Sequence, residues 1–70
     1  MTSEKNNLKR MELLGEHFEC CYSKNPYDNT WCFSTKETDH ECGLGITLEK
    51  AVSNFIQSNK YKRDIKEILP

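Results

Sequence analysis

The chain has no long apolar run. Its 70 residues are only 36% apolar, and no stretch approaches the ~20 consecutive apolar residues that cross a bilayer. The opening MTSEKNNLKRMELLGEHF is too polar, and its apolar part too short, for the apolar segment of a secretory signal. These absences predict a cytoplasmic chain with no membrane partner. Charge of one sign is also missing. Ten basic residues face eleven acidic ones for a net charge of −1, with a pI near 6.1. A nucleic-acid binder usually shows a clustered basic face and a high pI, so nucleic acid is not the expected main partner. Internal repeats and low-complexity segments are absent. A chain this short is one domain with a small core. Modest stability follows, and pairing of two copies through a free strand edge or the tail is an open route to more.

Complete chemical motifs are absent too. Gly43-Leu44-Gly45-Ile46-Thr47 precedes an apolar-periodic segment, where a backbone cradle at a helix N-terminus could hold an anion. It lacks the third glycine of a dinucleotide fingerprint and the lysine of a phosphate loop. The glycines are therefore read as a sharp bend from strand to helix. Four cysteines are present, Cys20, Cys21, Cys32 and Cys42. They do not form the two short-spaced pairs of a strong zinc motif. On a strand, adjacent Cys20 and Cys21 point to opposite faces. His40 and Cys42 point the same way if extended, so a zinc site of His40 and Cys42 with Cys20 or Cys32 is the metal alternative. The preferred reading is small, partly buried thiols, a reduced protein and no cofactor. Neither His17 nor His40 has an evident third group to orient it beside a nucleophile, so no enzyme is expected.

The charges that are there are unevenly placed. Residues 1–10 sum to +2, residues 11–50 to −5 and residues 51–70 to +2. The densest acidic stretch is Glu37, Asp39 and Glu41 around His40. Such a turn suits a basic partner surface, where complementary charge raises association rate and specificity. Tyr27 lies in the polar turn Lys24–Asn29 with no alternation to bury it, and an exposed loop aromatic is a candidate anchor. The basic tail Lys60, Lys62, Arg63 and Lys66 is the corresponding candidate for phosphate contacts.

Periodicity places the elements. Leu8, Met11 and Leu14, widened by Leu13, predict a helix over residues 4–14, with Ser3 as N-cap and Gly15 as a left-handed stop. An antiparallel sheet of two to three strands is predicted within 16–46. In it Phe18, Cys20 and Tyr22 share a face, as do Trp31, Phe33 and Thr35. Asn25-Pro26 and Asp28-Asn29 supply the turn between them. A short third strand alternates His40, Cys42, Leu44 and Ile46 against Glu41, Gly43, Gly45 and Thr47, loosened by its glycines. The strongest signal follows. Thr47 is a good N-cap, Glu49 suits the first turn, and Leu48, Ala51, Val52, Phe55 and Ile56 form one apolar stripe over residues 48–58. Residues 61–69 carry Tyr61, Ile65, Ile68 and Leu69 out of phase with that stripe, which predicts a break near Asn59-Lys60 and a short helical tail.

The stretch WCFSTK…ECGLGITLEKAVSNFI resembles a junction in small bacterial and phage proteins, where antiparallel strands end in a G-x-G-x-T turn and enter an L-E-x-A helix. HicB-like antitoxins share it. The resemblance covers about residues 30–57 and implies antiparallel strands packed against the following helix. Size and the acidic centre look like small phage or prophage accessory proteins, including inhibitors of host defence. The combined expectation is an α+β domain: helix, antiparallel hairpin, helix, short helical tail. Leu48, Val52, Phe55 and Ile56 should pack against Phe18, Tyr22, Trp31 and Phe33 or Leu44. The expected function is non-enzymatic binding and inhibition of a host protein through Tyr27, Glu37, Asp39 and Glu41. A nucleic-acid-binding or antitoxin-like module and a small zinc-stabilised domain are the alternatives.

Overall fold

A computed structural model of the chain describes residues 2–37 and 39–69, with side chains from residue 6 onward. Thr38, between Glu37 and Asp39 of the acidic turn, and the Ser3 side chain lie outside the described set. The element order is α1 (Thr2–His17), β1 (Cys20–Lys24), β2 (Trp31–Thr35), β3 (Gly43–Gly45), α2 (Leu48–Ser58) and α3 (Arg63–Ile68). The three strands form one antiparallel sheet in the order β1-β2-β3. The domain is therefore α+β, with helices on one side of a small sheet. No helix among the described residues is long and apolar enough to cross a membrane.

The first helix is longer than its sequence pattern predicts. It takes in Ser3 at one end and runs through Gly15 to His17, so Glu16 and His17 are helical and β1 starts only at Cys20. Gly15 is not a stop. A Cβ there would meet nothing within 4 Å, and a glycine inside a helix costs only about 1 kcal/mol. The helix closes instead on the Phe18 N–H donating to the Leu14 carbonyl, 2.8 Å. Its apolar stripe is narrower than predicted. Leu14 is buried and Met11 and Phe18 pack against the core, but Leu8 and Leu13 are exposed.

Leu14, Phe33, Ala51, Val52, Phe55 and Ile65 form the buried core. The rings of Phe33 and Phe55 meet edge to face, 5.2 Å between centroids, a geometry the ring quadrupoles favour. Helix α2 begins as the sequence indicates. The Thr47 hydroxyl accepts the Lys50 N–H at 3.1 Å, and Ala51, Val52 and Phe55 are buried.

Two expected core contacts are not made. Tyr22 pairs with Phe33 and shares its face, yet it is 58% exposed. Helix α2 lies over β3 and β2 and leaves β1 uncovered. Leu44 is 55% exposed and Ile46 70%, because the phase of β3 is the reverse of the predicted one. Leu44 pairs with Cys32, and Gly43 pairs with Phe33, so the glycines face the helix. The cause is close backbone packing. A Cβ on Gly43 would overlap the Ala51 carbonyl oxygen and the Phe55 nitrogen and come within 2.8 Å of the Phe55 Cα. One on Gly45 would lie 2.6 Å from the Ala51 nitrogen and 2.7 Å from the Lys50 Cβ. Apolar side chains could not occupy that side. The two glycines bring α2 against β3, and the Asn54 side-chain amide ties the helix to the Leu44 carbonyl.

Asn59 ends α2 and separates it from α3. It is fully buried. Its Nδ2 donates to the Phe55 and Glu41 carbonyls, both at 2.8 Å, and its Oδ1 accepts the Glu41 N–H at 2.9 Å. The tail does not continue α2; it turns at Asn59–Tyr61 and forms α3, which inserts Ile65 into the core.

Candidate functional site

The loop between β1 and β2 is a hydrogen-bonded turn that presents Tyr27. The Asn25 N–H donates to the Thr30 carbonyl and the Asn29 N–H to the Asn25 carbonyl, each at 2.8 Å. Asn25 Oδ1 accepts the Tyr27 N–H at 2.9 Å, and Asp28 Oδ1 accepts the Thr30 N–H at 3.0 Å. The Thr30 backbone donor holds the Asp28 carboxyl below its ordinary range. Asn29 takes a φ of 60°, a left-handed conformation that asparagine tolerates. Tyr27 is 96% exposed.

The side of the sheet away from α2 is open. Cys32 and Leu44 pair across it, as do Ser23 and Cys32, and Cys21 and Ser34. A cleft of about 450 Å³ runs along its hairpin end and includes Ser23, Pro26, Asp28, Thr30, Cys32 and Leu44. Exposed Leu44 and Ile46 lie on or beside it. Glu37, Asp39 and Glu41 are all exposed. They follow β2, so they stand at the opposite end of the sheet from Tyr27. Five strand residues at about 3.3 Å each separate the two groups by roughly 17 Å.

Among the described residues the zinc alternative of His40 and Cys42 with Cys20 or Cys32 is not assembled. Cys20 pairs with Thr35 on the helix-facing side of the sheet, and Cys32 lies on the open side. Cys32 and Cys42 are neighbours; burial, then the adjacent Cys42, raises the Cys32 thiol. Burial, then Cys21, likewise raises Cys20. His40 is engaged elsewhere. Its ring is buried, edge-on to Phe18 at 5.0 Å and to Phe55 at 6.0 Å. Nδ1 lies 2.8 Å from Thr35 Oγ1, and Nε2 lies 2.9 Å from Asp64 Oδ2.

Asp64 is the orienting group that sequence spacing did not reveal, since it lies 24 residues away and is brought in by α3. The resulting hydroxyl–imidazole–carboxylate chain is set into the core. Thr35 is buried, and neither Thr35 nor His40 lines the sheet cleft or a second cleft, of about 310 Å³, bordered by Asn6, Lys9, Arg10, Leu13 and Leu69. Its evident work is to tie the loop after β2 to the tail.

The basic tail is partly neutralised. Arg63 Nε is 3.5 Å from Glu67 Oε1. The Lys60 and Lys66 ammonium groups sit over the exposed Tyr61 ring, 5.0 and 5.7 Å from its centroid. Lys62 caps α3 without a side-chain hydrogen bond.

The fold and these surfaces define a small α+β domain with an open sheet face. No known protein family, no curated protein and no solved structure matches this chain.

Proposed function

We propose that this chain is a non-enzymatic protein-binding module of the phage or prophage accessory type, which binds and inhibits a host protein. The observation that carries the reading is Tyr27: nearly all of it is in solvent, yet the turn beneath it is held by four hydrogen bonds. An aromatic held rigidly outward loses little conformational freedom when a partner covers it. The footprint is the open sheet face, with Tyr27 at one end and Glu37, Asp39 and Glu41 at the other. A span of roughly 17 Å fits within one side of a standard interface, about 800 Å² per partner. Leu44 and Ile46 supply apolar area within it. The acidic end favours a partner with a basic surface, and complementary charge should speed association at low salt.

The test is affinity capture from lysate of a candidate host, followed by binding kinetics on the protein recovered. Tyr27→Ala should mainly raise the off-rate. Replacing Glu37, Asp39 and Glu41 with Ser or Asn should slow association and remove its salt dependence. A second reading, a nucleic-acid-binding or HicB-like antitoxin module, draws on the cations around Tyr61, since aromatic rings beside lysines can stack unpaired bases. If only Lys62→Ala/Arg63→Ala abolishes capture, and nuclease removes the ligand, that second reading stands and the first fails.

A further inference from the structure

We propose that Asp39, His40 and Asp64 form a binding site for one zinc-class divalent cation. The inference is independent of the partner reading. One ligand atom from each of the three residues lies within 4.8 Å of the others. Donors bound to tetrahedral zinc stand about 2.0–2.2 Å from the ion, hence roughly 3.3–3.6 Å apart. The widest separation must close by about 1.2–1.5 Å, which the exposed Asp39 side chain can supply by rotation, while the 2.9 Å His40–Asp64 pair opens by a few tenths of an ångström.

The feature that sets this group apart from an ordinary acidic surface is the imidazole. His40 packs edge to face against Phe18 and Phe55, and its Nδ1 meets the buried Thr35 Oγ1. Metal-binding histidines are characteristically held in this way, with one ring nitrogen hydrogen-bonded and the other aimed at the ion. Ion binding selects the Nδ1–H tautomer, in which the ring donates to Thr35 and Nε2 gives up its hydrogen bond to Asp64 in exchange for the ion. Asp64 is already oriented, since its Oδ1 accepts the Ile65 N–H at 2.9 Å while Oδ2 faces His40. Asp39 makes no hydrogen bond or ion pair among the described residues, so its carboxylate is available. One imidazole and two carboxylates balance a divalent charge and suit zinc, cobalt or manganese rather than a soft ion. Three protein donors leave a position open to water. The ion would join the loop after β2 to α3, replacing the direct His40–Asp64 contact with a coordinated one.

The experiment is titration of reduced, chelator-treated full-length protein with zinc by calorimetry and with cobalt by absorption. Saturable binding of one ion per chain is expected, with a cobalt spectrum free of the near-ultraviolet thiolate charge-transfer band. Asp39→Asn should weaken binding by about tenfold or more and leave the melting temperature in chelator unchanged, because Asp39 holds nothing in the metal-free fold. This variant avoids the risk that His40→Ala fails to fold. Absence of saturable binding, or an Asp39→Asn affinity equal to wild type, overturns the proposal. So does a thiolate band that disappears in Cys32→Ser/Cys42→Ser, which would place the ion on the sulfurs.

Discussion

Replacing glycine by alanine should move stability in opposite directions at two positions. Gly15 is inside α1 with open space around a new Cβ. Alanine there improves helix propensity by about 0.8–1.0 kcal/mol, and part of that gain comes from a less flexible unfolded chain. For a domain of this size, 1 kcal/mol shifts the melting temperature by roughly 4–8 °C, so Gly15→Ala should melt several degrees higher. At Gly43 the unfolded-state gain is about 0.4–1 kcal/mol, but the folded state cannot accept the methyl group. The obstructing atoms are the Ala51 oxygen and the Phe55 nitrogen and Cα, all backbone, so no rotamer change relieves the overlap. Helix α2 must move off the sheet and drag Phe55 from its contact with Phe33. Overpacking of this kind costs typically about 1–3 kcal/mol and sometimes more. After the unfolded-state gain is subtracted, Gly43→Ala should lose up to about 2.6 kcal/mol and melt as much as roughly 20 °C below wild type. Thermal denaturation followed by circular dichroism, with urea melts to check that the slope is unchanged, measures both variants. A Gly43→Ala protein that melts at or above wild type would refute the close packing of α2 on β3.

Other perturbations test separate parts of the structure. Phe55→Ala should cost about 3–5 kcal/mol through the cavity it leaves, a large share of the stability of a domain this size; a melt within a few degrees of wild type would contradict the core. Timed alkylation with mass-spectrometric mapping should label exposed Cys21 and Cys42 before Cys20 and Cys32, whose thiols burial pushes up; Cys20 reacting first would mean β1 is not seated on Thr35. The Asp28 carboxyl is depressed by the Thr30 N–H, so its contribution to the Tyr27 turn is present above the unfolded Asp value and is lost as pH falls through the lower folded value. An NMR titration of the Thr30 amide should show a midpoint below the ordinary 3.8, and a midpoint at or above it would remove that hydrogen bond from the account. Asn59→Ala strips three hydrogen bonds from a buried site and should destabilise by about 1–3 kcal/mol, read from urea unfolding.

Local pattern alone decided the α+β class, the span of α2 and its Thr47 cap, the turn around Asn25 to Asn29, and the break before the tail. Each depends on neighbours within one or two turns of chain: a stripe at helical spacing, a hydroxyl three residues from an amide, asparagine where φ is positive. The exposure of Tyr27 was legible for the same reason, since nothing in its turn alternates. Tertiary contacts decided the rest. The phase of β3 was misread because apolar residues were assumed to face the helix, whereas the distance between α2 and the sheet admits only the glycine side. Tyr22 has the right parity but lies beyond the reach of α2, and helix placement over a sheet has no signature in alternation. Asn59 reads as a polar helix end, and only the return of Glu41 beside it makes it a buried junction. His40 and Asp64 are 24 residues apart in sequence; their meeting waits on α3 inserting Ile65 into the core, an event of packing that no spacing encodes.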